Sequence, residues 1–235
     1  MTEPIDAGAR GARVATGAPG APAGRRERAM SDKRQRIFAA AAALFAERGF
    51  DGVSTQEIAE RADVAAGTVF RYAASKAELL LMVCNRDLRH AIDDGIRDAA
   101  VRTELADAVD ALVQPVLARS IRDPHTVVAY QRELLFGPAT EQYRAEGLAL
   151  VAELERAVAA VLVAAVPGTA RGQGPDAAVL AREAQRAART VFATLSLVLA
   201  EPSTGAHPEA TPTAELRGQI AQIVRGFLAT PTTDS

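Results

Sequence analysis

The sequence predicts an all-α chain of about nine helices, a three-helix unit with a helix-turn-helix near the N-terminus followed by a larger helical bundle. Three observations point there. Apolar residues make up 49% of the 235 positions while aromatics make up only 4%, so alanine and leucine carry the apolar count, a composition that favours helix. From Ser31 onward apolar residues recur at the 3.6-residue period, and no alternating strand pattern interrupts them. Capping residues, glycines and prolines punctuate that period at regular intervals, with no internal repeat of roughly 20–50 residues.

Residues 1–29 are rich in Gly, Ala, Pro and Arg and have almost nothing to bury, so they are expected to lack structure. Arg25, Arg26 and Arg28 run on into Lys33, Arg34 and Arg36. Two readings stand for this stretch: a solvated tail, with a start codon assigned upstream of Met30, or a basic arm that touches DNA beside the folded domain. A first helix carries Ile37, Ala41, Leu44, Phe45 and Arg48 on one stripe and stops at Gly49. Ser54-Thr55-Gln56-Glu57 reads as a capping box opening a short helix to Arg61 or Ala62. Asp63 stands at a sharp turn and tolerates a left-handed backbone. A second short helix is expected over 65–73. Ser75-Lys76-Ala77-Glu78 reads as another capping box, opening a long helix through Leu79, Met82, Val83, Leu88, Ile92 and Ile96.

Beyond residue 91, Thr103 is expected to cap a helix that Pro115 kinks, and Asp123-Pro124 to cap the next. Gly137-Pro138 separates that helix from one over 139–165, and 167–175 reads as a loop. A helix over 176–201 shows an apolar stripe at Leu180, Ala184, Ala188, Val191, Leu195 and Val198. After a loop over 202–210, Thr211-Pro212 starts a last helix with Leu216, Ile220, Ile223 or Val224, and Phe227 on one face.

Charge is divided rather than large. The net charge is −2, yet residues 1–76 hold 12 basic and 9 acidic side chains against 15 and 20 in residues 77–235. A mildly basic head on an acidic body suits a protein whose small end meets phosphate. Cys84 is the single cysteine, which excludes an intrachain disulfide, and His90, His125 and His207 show no metal-ligand spacing around it. No apolar run approaches the ~20 residues of a membrane span, and no signal-peptide core is present. A cytoplasmic protein with no membrane contact and no cofactor is expected. No Glu-x-x-His pair, nucleophile–base set or phosphate loop supports an enzyme, and a plain helical adaptor would leave residues 54–80 unexplained.

Residues 34–80 carry the function. Two very short helices joined by a tight turn and followed by a capped long helix make sense packed as a helix-turn-helix over 54–73, with the second offered to a major groove. The Leu44-Phe45 pair, Gly49-Phe50, Thr55, Ile58-Ala59, Val64, Gly67-Thr68, Val69-Phe70, Tyr72, Ser75-Lys76 and Leu79 resemble the TetR family of transcriptional regulators at fixed spacing across residues 31–90. The resemblance implies a DNA-binding domain over 31–90 and a ligand-binding and dimerisation domain over 91–235. It implies a dimeric, ligand-responsive repressor on a palindromic double-stranded operator.

Residue by residue, it places Ser54 and Thr55 at a helix N-terminus that attracts phosphate, with Gln56 beside them able to pair with adenine. Ala66, Gly67 and Thr68 open the recognition helix, their small size allowing close approach. Val69 points to the core, while Phe70 either joins it or meets DNA with Tyr72. Arg71 is the candidate for bidentate guanine reading, and Lys76 suits a phosphate. Where the family commonly has a capping serine this chain has Ala65, forfeiting ~0.5–2 kcal/mol of capping. Asp63 replaces a turn glycine, Ala73 replaces a phenylalanine, and part of the sequence preference then falls to DNA shape. In the bundle, the resemblance implies a cavity for an unknown small-molecule effector and a homodimer formed by the last two helices. Tyr130, Arg132, Glu133, Phe136, Tyr143, Thr194 and Ser196 stand out as polar or aromatic residues on otherwise apolar helices, candidates to line the cavity.

Overall fold

The computed structural model describes residues 21–139, 141–167, 176–205, 209 and 211–229, and among these it is all-helical. The helices are α1 (Ala21–Arg48), α2 (Thr55–Arg61), α3 (Ala66–Val69), α4 (Lys76–Ala99), α5 (Leu105–Arg122), α6 (Pro124–Phe136), α7 (Gln142–Ala164), α8 (Ala177–Thr204) and α9 (Pro212–Ala229). The loop expected over 167–175 lies mostly outside the described residues.

Helix α1 begins ten residues before Ser31 and so corrects the expectation of an unstructured 1–29; residues 1–20 lie outside the described residues. Once the packed part of α1 is nucleated, each added residue gains a hydrogen bond without a fresh nucleation cost. Arg, Glu, Ala and Met are good helix formers, and Pro22 sits in the first turn, where its missing N–H is not needed. Residues 27–36 are all exposed. Gly49 ends α1 with φ 69°, its amide donating to the Phe45 carbonyl at 2.8 Å.

The expected caps are partly rearranged. Glu104, with no side-chain bond, rather than Thr103 precedes α5, and α5 passes through Pro115 as one helix. Asp123 caps α6 by accepting from the Thr126 amide. Helix α8 runs three residues past Glu201 to Thr204, where Gly205 in the left-handed conformation ends it.

Two packed clusters share α4. The first joins α1–α3 to the start of α4 and adds Ala129, Tyr130, Leu134 and Tyr143 from α6 and α7. The second fills the bundle of α4, α5, α7, α8 and α9. The stripes expected on α8 and α9 are buried here, with Val224 rather than the half-buried Ile223 as the third position on α9. Those stripes are intrachain core, so they do not themselves form a dimer surface. Ile96, the last apolar residue named along α4, is exposed. Helices α4 and α5 instead meet at Gly95, where an added Cβ would lie 2.4 Å from the Leu112 carbonyl oxygen.

Candidate functional site

Helices α2 and α3 are held by α1 through both apolar and charged contacts. Ile58, Ala59, Ala62 and Val69 are buried against Ile37, Ala41 and Phe45. Arg61 makes a two-pronged pair with Glu47 at 2.7 Å, and Arg36 reaches Asp63 at 3.2 Å. Asp63 adopts φ 51°, the left-handed turn its short polar side chain tolerates. At the start of α2 the capping box is complete: the Glu57 amide donates to the Ser54 hydroxyl at 3.2 Å and the Ser54 amide to the Glu57 carboxylate at 2.8 Å. The Ser54 hydroxyl bond, the Ser54 amide bond and Arg48 together pull the Glu57 carboxyl down to about 2.

Helix α3 is a single turn, shorter than the expected 65–73. Regular helix stops at Val69, and residues 70–72 continue as a tighter turn, with Arg71 N–H on the Thr68 carbonyl and Tyr72 N–H on that of Val69. Ala65 offers no side-chain cap, which leaves the helix start unsupported. This turn has two unlike sides. Val69 is fully buried and Ala73 is 2% exposed, whereas Phe70 is 52% exposed and Arg71 is exposed without a partner among the described residues. A Cβ added at Gly67 would touch nothing in the protein, so the chain's own packing does not require glycine there. Tyr72 donates from its hydroxyl to the Met30 carbonyl at 3.2 Å.

Three further candidate contacts are, like Tyr72, engaged inside the protein. Lys76 donates to the carbonyls of Phe50 and Val53, each at 2.9 Å, and sits 4.3 Å from the centroid of the Phe50 ring. It ties the α1–α2 loop to α4. Both polar groups of Ser54 belong to the capping box, and Gln56 donates to Glu60 at 3.1 Å. Gly67, Phe70 and Arg71 are exposed, whereas Thr55, Ala66 and Thr68 are half-buried.

The second box is half a box. Ser75 accepts from the Glu78 amide at 3.0 Å, but the Glu78 carboxylate turns inward, 5% exposed, and accepts from the Tyr143 amide at 2.9 Å. Burial favours it: α7 starts beneath Glu78 with free N–H groups that need an acceptor. The chain of bonds continues, with Asn85 donating to the Tyr143 carbonyl at 2.7 Å and Tyr130 donating to Asn85 at 2.9 Å. This buried seam runs from the start of α4, just after the recognition turn, to the wall of a cavity.

That cavity, of ≈ 160 Å³, lies between α4, α5, α6, α7 and α8. Leu88, Val116, Leu134, Leu154, Phe192 and Leu195 give it apolar walls, and Tyr130, Arg119, Thr126 and Ser196 give it polar points. Thr126 Oγ1 and Arg119 Nη1 are buried without a hydrogen-bond partner among the described residues; the other terminal nitrogen of Arg119 pairs with Asp94 at 2.7 Å. Burial pushes the Cys84 thiol and the Tyr130 hydroxyl up, so both wall groups stay protonated.

Residues 37–83 match the model of the bacterial regulatory proteins of the tetR family. The HTH-type transcriptional repressor KstR of Rhodococcus jostii is 32% identical over 112 residues, 48% of this chain and 52% of that protein. KstR of Mycobacterium tuberculosis is 29% identical over the same length. The chain is similar to the TetR family over residues 37–83. It spans about half the length of the curated relatives it matches. Likeness of fold extends further: a transcriptional regulator from Rhodococcus sp. RHA1 superposes with a TM-score of 0.55 at 24% identity, covering 84% of this chain and 99% of that one. FadR of Bacillus subtilis, solved in complex with stearoyl-CoA, gives 0.56 at 15% identity, covering 83% and 97%.

The cavity takes in two of the seven residues singled out for it, Tyr130 and Ser196. Helical phase explains the others. The cavity face of α6 repeats as Thr126-Val127, Tyr130-Gln131 and Leu134-Leu135, which turns Arg132, Glu133 and Phe136 away; Arg132 pairs with Glu133, and Phe136 is 82% exposed. Tyr143 is buried in the seam below the cavity, and Thr194 is half-buried outside it. Arg119 and Thr126 were missed. Their signal is the polar spacing of Arg119, Ser120, Asp123 and Thr126 across the α5–α6 corner, and Asn85 stands out as an amide within the apolar run of α4.

Proposed function

We propose that this chain is a cytoplasmic, ligand-responsive transcriptional repressor that binds a palindromic operator as a homodimer, without cofactor or catalytic step. The observation that carries this reading is the two-sided recognition turn. Its inner side is fully packed, while its outer side offers Phe70, Arg71 and a glycine with open space before it. Thr55, Thr68 and Tyr72 serve as backbone contacts and Arg71 as the base reader, with Lys76 holding the interface in shape from behind.

The dimer uses the outer faces of α8 and α9. Leu197 is 72% and Leu228 is 56% exposed, and Gly218 and Gly226 leave open space on α9, so a second helix pair can approach closely. Two such protomers present two recognition turns to two half-sites. The cavity receives the effector: an apolar body with an acceptor for Arg119 Nη1 and Thr126 Oγ1, the two donors left unmet. Stearoyl-CoA in the FadR neighbour supports an apolar effector on this fold. At ≈ 160 Å³ the cavity here is below the roughly 300 Å³ of common ligand pockets, so the effector is small or widens it.

Arg71→Ala tests the reading. On a duplex selected by the protein from a random pool, the variant is expected to lose ~1–3 kcal/mol and to relax preference at one symmetric pair of positions. On scrambled duplex the loss is smaller. Equal losses on both, in equilibrium titrations at several salt concentrations, would remove Arg71 as a base reader.

A further inference from the structure

We infer that the exposed N-terminal part of α1 is a second DNA-contacting element, a basic helical arm that adds phosphate contacts beside the recognition turn; this rests on the reading of the chain as a DNA-binding regulator. Residues 21–36 hold six basic and two acidic side chains, the densest positive stretch of a chain whose net charge is −2. They form continuous helix with the packed part of α1, so their backbone is already ordered before any partner arrives.

Their position is fixed by the recognition turn itself. Tyr72 donates to the Met30 carbonyl at 3.2 Å, next in sequence to exposed Phe70 and Arg71. Further along, Arg36 is held by Asp63 in the turn between α2 and α3, and Arg34 lies 6.0 Å from the Tyr143 ring centroid. Arg28 and Lys33 remain, exposed and without partners among the described residues. Nothing in the described fold uses these two charges. Met30, 53% exposed on the same helix, shows that this stretch is not there to bury apolar surface. A polyanion laid along the recognition turn would meet exposed, unpaired cations on an ordered helix, and each neutralised phosphate releases counterions.

The test compares the full chain, a variant beginning at Met30, and the full chain carrying Arg28→Gln with Lys33→Gln. Glutamine keeps helix propensity, so the double variant guards against loss of folding in the shortened chain. All three are titrated on a scrambled 30-base-pair duplex at several salt concentrations, and on a duplex selected by the full chain. Both altered proteins are expected to bind more weakly on both duplexes, with unchanged sequence preference. Their log–log salt slope should fall by ~0.9 for each phosphate no longer neutralised. Slopes and affinities identical to the full chain in both altered proteins would overturn the arm. Failure of the full chain itself to bind either duplex would overturn the DNA-binding reading instead.

Discussion

Glu78 and Glu57 are carboxylates in matching sequence contexts that do different work. Each lies three residues after a serine that caps its amide, and only burial separates them. Glu57 stays at the surface and completes its box, whereas Glu78 is drawn into the seam by the N-terminus of α7. Local spacing made the serine caps legible, but the partner of Glu78 is 65 residues away and no local pattern encodes it. Glu78→Ala should leave the buried Tyr143 amide unpaired and cost about 1–3 kcal/mol in urea unfolding; Glu78→Gln, which keeps an acceptor oxygen, should recover most of that. Glu57 predicts a pH effect of defined sign. Its pKa is lowered from 4.5 to about 2, so its stabilising contribution is full above pH 4.5 and is lost as the pH falls towards 2. The carboxyl resonance of Glu57, followed by NMR, should titrate near 2, and a midpoint near 4.5 would show the box to be open in solution.

Short elements were the hardest to bound and are the most informative. The pair of α2 and α3 was readable from Ser54, Asp63 and the buried positions Ile58, Ala59 and Val69. The end of α3 was not, because a one-turn helix without a cap has its length set by what packs on it. Gly67 makes the balance measurable. Alanine there meets no protein atom and should stabilise α3 by ~0.5–1 kcal/mol. On the proposed reading the same methyl would stand in the path of DNA. Gly67→Ala is therefore expected to raise the melting temperature and lower operator affinity together, and a variant that gains both would place this face away from DNA. The α8 and α9 stripes teach the converse lesson. Their periodicity announced helices correctly, but periodicity marks a buried face without saying what buries it.

At the scale of the whole molecule, the open faces of α8 and α9 carry the dimer prediction. Leu197→Glu with Leu228→Glu should yield a monomer by light scattering at micromolar concentration, with intact helical circular dichroism and a large loss of affinity for a two-half-site duplex. A dimer that survives both charges would put the interface elsewhere. The cavity was legible in kind, as an apolar space with polar points among the bundle helices. Its lining was not, since which side of α6 faces inward depends on how α6 docks on α4 and α8. Gly95 adds a mechanical consequence to that docking. Where two helices touch backbone to backbone they cannot be pressed closer, so the contact acts as a fulcrum. Ser75, beside the recognition turn, lies twenty residues from it, a lever of roughly 30 Å at 1.5 Å per residue, and a tilt of about 4° would swing that end by ~2 Å. A displacement of that size exceeds the slack in a hydrogen bond, so on the proposed reading a bulge at the cavity too slight to alter the fold would be enough to unseat one recognition turn from a DNA groove.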